Sequence, residues 1–521
     1  MTRIFMNKTL VILCALCGIL LSSCGMTPSA PLPAPLVLVT ANPDASPTPT
    51  PFQPLAATPL PLESPTLIPT FTPEPPTNTP PPTLEFTATP LVSPTTPSQT
   101  ARTQYTLFAL LDYAGRQLAV DETIQYTNQT GATLNELVLA VQPNLRSGFL
   151  LENILLNGNQ LTYDLTGQRL TVYLPQPLTT NAQLTLAMRF RINIPPKSND
   201  HPYGYASNQV NLTDWYPFIV PYKGGWVLHD PSGLGEHLVY DAADFEVNIR
   251  TTGDTVTIAA SGLEEPNGEW TRYRLSGGRT FAFSASDIYS MRESAVGSVV
   301  IRSYYYEGYD GAGQGMLNAS VKAVGLFKDL FAPYPYASLS VVQSDLHDGQ
   351  EYDGLVFLAT KFYDEYNGSE RSNLATIGVH EIAHQWWFGL VGSDQAMEPW
   401  LDEALSVYSE NIFYEYIHPN YGDWWWNFRV NYFGPSGWVD TNIYEGGSFR
   451  GYVNAAYLNG ANFIDELRWR MGTQDFLSFL KEYASRYAHG HATASDFFAV
   501  AQQNTTADIS DLIRAYFKGS Y

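Results

Sequence analysis

Residues 379–390 read VHEIAHQWWFGL, two histidines four apart with a glutamate directly after the first. On a helix, residues four apart share a face, so His380 and His384 can each offer a ring nitrogen to one ion. The surrounding apolar run suits a buried helix; Ser372 or Asn373 can cap its start, and Gly389 can end it. A catalytic zinc site needs a third protein ligand and one open position. The stretch EPWLDEALSVYSE (398–410) offers Glu403, nineteen residues after His384, with Asp402 and Glu410 as rivals on the same helical segment. The motif therefore predicts a zinc centre built on two helices.

Around this motif the periodicity is helical. Apolar residues recur at three and four in MLNASVKAVGLFKDLF (316–331), and again at 374–388, 400–416 and 455–482. A few strands intervene, SVVIRSYYYEG (298–308), SLSVVQ (338–343) and GLVFLA (354–359). From Tyr105 to about Ala285 the pattern alternates instead, as in LTVYLP (170–175) and LTLAMRFRINIP (184–195). Asn157-Gly158 and Thr166-Gly167-Gln168 mark hairpin turns between strands. The expected architecture is multidomain: an antiparallel β domain at 101–285, then a mainly helical α/β domain at 286–521.

The N-terminus reads as processing and tethering sequence. Arg3 and Lys8 precede an apolar run from Leu10 to Leu21, too short to span a bilayer and suited to a signal-peptide core. Leu21-Ser22-Ser23-Cys24 resembles the bacterial lipobox, which implies removal of residues 1–23 and lipidation of Cys24. Cys14 and Cys17 leave with the signal, so no disulfide is expected in the mature chain. Residues 26–100 carry 22 of the 37 prolines and almost no charge, the composition of a solvated, disordered stalk. With the signal and stalk (24–100) set aside, the formal charge of −22 becomes −20 on the globular part, a field that excludes nucleic acid as a partner.

His-Glu-x-x-His, eighteen residues, then Glu403 inside WLDE resembles the aminopeptidase N family of zinc metallopeptidases, the gluzincins. GQEYDGLVF (349–357) is similar to that family's exopeptidase motif and places Glu351 on the glutamate that grips a substrate's free amine. AAYLNGANFIDELRWRMG (455–472) places Tyr457 on the catalytic tyrosine, and DWYPF (214–218) with the β half resembles the family's saddle domain. The resemblance implies a thermolysin-like catalytic domain holding one Zn2+ on His380, His384 and Glu403, with Glu381 as general base. It implies peptide substrates with a free N-terminus, cleaved outside the cytoplasm by an enzyme anchored to a membrane by lipid. A thermolysin-type endopeptidase and a catalytically inactive peptide-binding lipoprotein are the alternatives.

This chain departs from the family pattern in several places. Phe388-Gly389 follows HQWW where Gly-Asn usually follows HQWF, Asp402 replaces the asparagine of WLNE, and Gln350 replaces a methionine. There is no PCFDEP-like segment and no counterpart of the glutamine that helps hold the amine. Only 64 residues follow Tyr457, so the large helical C-terminal domain of longer members is expected to be missing. His489 and His491 are expected on an exposed loop before a helix rather than on a second metal, and Trp386 and Trp387 in the core or the cleft wall.

Overall fold

The computed structural model describes residues 102–521 except 147, 199–200 and 254. The signal at 1–23, Cys24 and the stalk to residue 100 lie outside the described residues. No helix among the described residues is long and apolar enough to cross a membrane.

The N-terminal half is built on an eight-stranded sheet. Its centre is Thr103–Asp112, Gln117–Thr127 and Gln183–Asn193, all alternating strands. In QLAVDETIQYT the side chains of Leu118, Val120, Ile124 and Tyr126 face inward, while Gln117, Asp121 and Gln125 face solvent. One pairing departs from the antiparallel expectation: Thr103–Asp112 runs parallel to Ala243–Thr251, with Leu107 opposite Val247. More than a hundred residues separate these two strands, so no hairpin constrains their direction. Two four-stranded sheets complete the half, one around Leu134–Ala140 and Arg169–Leu178, the other around Gln209–Leu212 and Phe283–Ser286.

A hairpin then changes the architecture. Tyr289–Val296 and Val299–Tyr306 form a hairpin that opens a five-stranded mixed sheet, continued by Ser338–Ser344, Leu355–Ala359 and the antiparallel edge strand Gly349–Tyr352. Helix α1 (Asp310–Leu330), helix α2 (Asn373–His384) and helix α3 (Trp400–Ile417) pack together beside it. All twelve residues of α2 are buried, which explains why its sequence is apolar on nearly every face. Ser372 caps α2 through its side chain, accepting from the amide of Ala375. The two halves share one continuous hydrophobic core, from Leu107 and Phe245 through Phe281 to Trp386, Trp387 and Phe497. Trp386 and Trp387 are core residues, 0% and 1% exposed.

The end of α2 differs from the expectation. Gly389 does not stop it; the helix widens at Gln385 into a π turn that runs to Leu390, and Val391 is extended. A Cβ at Gly389 would lie 2.5 Å from the Tyr336 hydroxyl and 2.7 Å from Asp353 Oδ1, so glycine is there for close approach. Gln385 uses the turn to reach the sheet. Its Oε1 accepts from the amide of Gly354 at 2.8 Å and its Nε2 donates to the Tyr352 carbonyl at 3.0 Å.

Candidate metal centre and peptide site

Helix α2 presents His380 and His384 one above the other, with Nε2 atoms 3.1 Å apart. Helix α3 brings Glu403 Oε2 to 3.3 Å from His380 Nε2 and 3.6 Å from His384 Nε2. The far side of each ring is committed. His380 Nδ1 faces Glu410 Oε1 at 3.0 Å, and His384 Nδ1 faces Asp402, with Ser406 Oγ at 3.1 Å. Carboxylates at both Nδ1 atoms place the protons there, which leaves two Nε2 lone pairs and a carboxylate oxygen pointing at one another.

Glu403 Oε2 is buried and has no hydrogen-bond donor among the described residues. Three ligand atoms converging on one point in this way suit a cation between them. In a tetrahedral zinc site with bonds of about 2.0–2.1 Å, ligand atoms lie roughly 3.3 Å apart, so the separations fit the ion. The chemistry fits too, since two imidazoles and a carboxylate are a catalytic zinc set.

The rivals to Glu403 have other duties. Asp402 is bound to His384 Nδ1 and accepts from Gln395 Nε2 at 2.9 Å. Glu410 is held by Arg429 through two bonds of 2.7 and 2.8 Å and by Trp425 Nε1 at 2.9 Å. Such outer contacts fix the tautomer and orientation of ligand histidines. Glu351, His384 and Asp402 also bring potential ligand atoms together, but Asp402 is occupied on the outer face.

Glu381, 5% exposed, follows His380 and faces the edge strand that carries Glu351. A Cβ at Gly349 would fall 2.1 Å from Glu381 Oε1, so only glycine lets the strand backbone pass so close. Glu351, 6% exposed, accepts from Gln350 Nε2 at 2.8 Å, and the same amide reaches Glu236 Oε1 at 3.2 Å. One amide thus holds two carboxylates, one from each half of the molecule. Tyr457 lies in a π turn, Val453–Asn459, and its hydroxyl hydrogen-bonds Glu403. All of these side chains line one cavity of about 930 Å³.

Burial is the first cause holding the carboxyls of Glu351, Glu381, Glu403 and Asp402 well above the usual range. For Glu351, Glu381 and Glu403 neighbouring carboxylates push the same way. Burial likewise lowers His384. A concentration of buried acids of this kind suits a dication and a cationic substrate group.

Glu236 is the site residue that sequence reading missed. It sits in the irregular segment between Phe218–Ile219 and Ala243–Thr251, where no periodicity or motif marks it. Asp402 and Ser406 did carry a signal: four apart on one helix, they meet the same imidazole nitrogen. His489 and His491 are not on an exposed loop. His489 Nδ1 lies 3.0 Å from the Gly277 carbonyl and His491 Nε2 lies 2.9 Å from Asp241, so this loop is docked on the β half.

A buried helix with His-Glu-x-x-His, a third candidate ligand on the next helix and an antiparallel edge strand alongside make a candidate catalytic zinc centre. Residues 316–516 match the model of the peptidase family M1 domain. Aminopeptidase M1-B of Oryza sativa subsp. japonica is 27% identical over 233 residues, 42% of this chain and 27% of that protein. Aminopeptidase N of Canis lupus familiaris is 27% identical over 180 residues, 32% of this chain and 18% of that protein. The chain spans about a quarter of the length of the curated relatives it matches. The solved M1 zinc metallopeptidase from Deinococcus radiodurans shares the fold with a TM-score of 0.61 at 18% identity, covering 81% of this chain and 94% of that one. That likeness extends over both halves, β-rich and helical.

Proposed function

We propose that this protein is a zinc-dependent aminopeptidase that removes N-terminal residues from peptides outside the cytoplasm, with one zinc ion per chain. The observation that carries the reading is the convergence of His380 Nε2, His384 Nε2 and Glu403 Oε2 beside Glu381 and the Glu351–Glu236 pair. Zinc held there supplies a Lewis acid and lowers the pKa of water toward about 7. Glu381 takes the proton of the attacking water and returns it to the leaving amine. Tyr457 donates to the oxyanion that develops on the peptide carbonyl. Glu351 and Glu236 receive the substrate's α-ammonium, which fixes the scissile bond one residue from the N-terminus.

The test uses three variants on free and N-acetylated peptides. Glu403→Ala should lose bound zinc, whereas Glu381→Gln should keep zinc and lose turnover. Glu351→Ala should cost free-amine peptides about ten- to a hundredfold, the range for a charge-assisted contact, and blocked peptides far less. Equal zinc loss in Glu403→Ala and Glu381→Gln would refute the ligand set. Equal losses on the two substrate types would instead favour an endopeptidase.

The sequence around Cys24 supports a lipid anchor as the location signal. Cys24→Ser should abolish lipid labelling and membrane retention. A correctly cleaved Cys24→Ser protein that stays on the membrane would show the anchor to be elsewhere.

A further inference from the structure

The cavity has further polar lining residues that this mechanism does not use. Glu236 and His237 are consecutive and take different partners: Glu236 reaches Gln350, while His237 Nε2 lies 2.7 Å from Gln142 Nε2 and 3.0 Å from Gln168 Oε1 on the β half. Arg146, His201 and Tyr203 line the same cavity, with Arg146 and His237 close enough to His201 to act on its charge.

These three offer donors rather than acceptors. Arg146 donates to Ser198 Oγ at 2.9 Å and has no carboxylate within ion-pair distance among the described residues. His201 Nδ1 accepts from the Tyr203 amide at 3.1 Å, which leaves the proton on Nε2. Burial first, then Arg146 and His237, push His201 down to about 3, so it is a neutral donor at physiological pH. Tyr203 lines the cavity and is 4% exposed; its hydroxyl is buried and has no hydrogen-bond partner among the described residues. A buried hydroxyl without a partner is costly unless something supplies one.

We propose that Arg146, His201 and Tyr203 form a carboxylate-binding subsite in the same cavity as the ammonium-binding pair Glu351 and Glu236. The subsite deepens the aminopeptidase reading and rests on it for the direction in which the peptide lies. Its ligand is a carboxylate of the substrate itself, from an acidic first side chain or from the free C-terminus of a short peptide. A guanidinium with two neutral donors suits that planar anion.

Calorimetric binding to the Glu381→Gln protein, which retains zinc and does not cleave, separates the two sources. The probes are Glu-Ala-Ala amide, Leu-Ala-Ala with a free C-terminus, Leu-Ala-Ala amide and Lys-Ala-Ala amide. One carboxylate-bearing peptide should bind about ten- to a hundredfold more tightly than Leu-Ala-Ala amide. Adding Arg146→Gln should remove that advantage, and Tyr203→Phe should reduce it several-fold, in proteins whose melting temperatures match the parent. An advantage for Glu-Ala-Ala amide assigns the subsite to the first side chain, and one for free Leu-Ala-Ala assigns it to the C-terminus. No advantage, an advantage that survives Arg146→Gln, or tightest binding of Lys-Ala-Ala amide would overturn the proposal. Absence of turnover by the parent on every aminoacyl reporter would sink the aminopeptidase reading alone, because the binding comparison does not depend on cleavage.

Discussion

Tyr457 carries its hydroxyl on a π turn and aims it at Glu403, beside the point where the three ligand atoms meet. A donor placed there stabilises the transition state more than bound substrate. Tyr457→Phe should lower kcat by roughly 10²–10³, the range for one oxyanion donor, with zinc content and melting temperature little changed. Tyr452 is no neutral comparison, since it is fully buried and packs edge-on against Tyr457 with ring centroids 5.5 Å apart. Tyr432, 54% exposed, is the better control, and its phenylalanine variant should match the parent. Full activity of Tyr457→Phe would assign the oxyanion to other groups. At this scale the sequence was most legible where spacing alone decides contact, as for His380 and His384 on one turn. Spacing alone could not separate Asp402, Glu403 and Glu410, because choosing among them needs the rotation of α3 against α2; the resemblance at WLDE singled out Glu403. Glu236 was invisible, because its place in the site depends on where a long irregular segment from the other half comes to rest.

Individual elements followed their patterns closely, and the exceptions have physical causes. The strands at 169–178 and 183–193, the turns at Asn157-Gly158 and Gly167, and helices α1 and α3 lie where alternation and helical periodicity put them. Periodicity is blind to the π turn after His384, because a widened turn keeps the apolar character of the helix that it extends. It also passes over one polar residue at an inward strand position. Glu122 occupies the alternation between Val120 and Ile124, is 1% exposed, and neither carboxylate oxygen has a partner. Burial pushes its carboxyl well above the usual range, so the folded state holds a proton that the unfolded chain releases near pH ~4.3. The contribution is therefore most favourable below that pH and declines as pH rises toward the elevated folded value. Glu122→Gln should stabilise the protein by about 1–3 kcal/mol at pH 8, the scale of an unmet buried polar group, and by little at pH 4.5. Denaturant melts at the two pH values would reveal it; a pH-independent difference would mean that Glu122 finds a partner.

Across the whole molecule, Arg279 is the stitch. It is 3% exposed and leaves the β half to donate through Nε to the carbonyls of Phe388 and Gly389, at 2.7 and 3.1 Å, where the π turn ends. Its other nitrogens reach the carbonyls of Tyr240 at 2.9 Å, Leu390 at 3.4 Å and Gly490. Its own amide donates to Asp353 Oδ2 at 2.9 Å, just past the strand that bears Glu351. Arg279→Gln strands several buried carbonyls that the guanidinium serves, so a loss of about 3–5 kcal/mol is expected. Hydrogen exchange should rise first at residues 385–390. A melting temperature within a degree of the parent would show that the halves are held by their shared core alone. The two-half layout was legible from the switch between alternation and helical periodicity. The join was not, because a lone arginine between Gly278 and Thr280 signals nothing in sequence.

The bridging amide of Gln350 joins a carboxylate from each half, and the Arg279 carbonyl cluster lies across the same boundary. Recombination within such a lineage is therefore constrained. A chimaera that kept residues 286–521 and borrowed its β half from a relative would keep His380, His384, Glu403, Gln350 and Glu351, yet it would exchange Glu236 and the wall carrying Arg146, His201 and Tyr203. Substrate preference would travel with the borrowed half, while the hydrolytic chemistry stayed with the recipient.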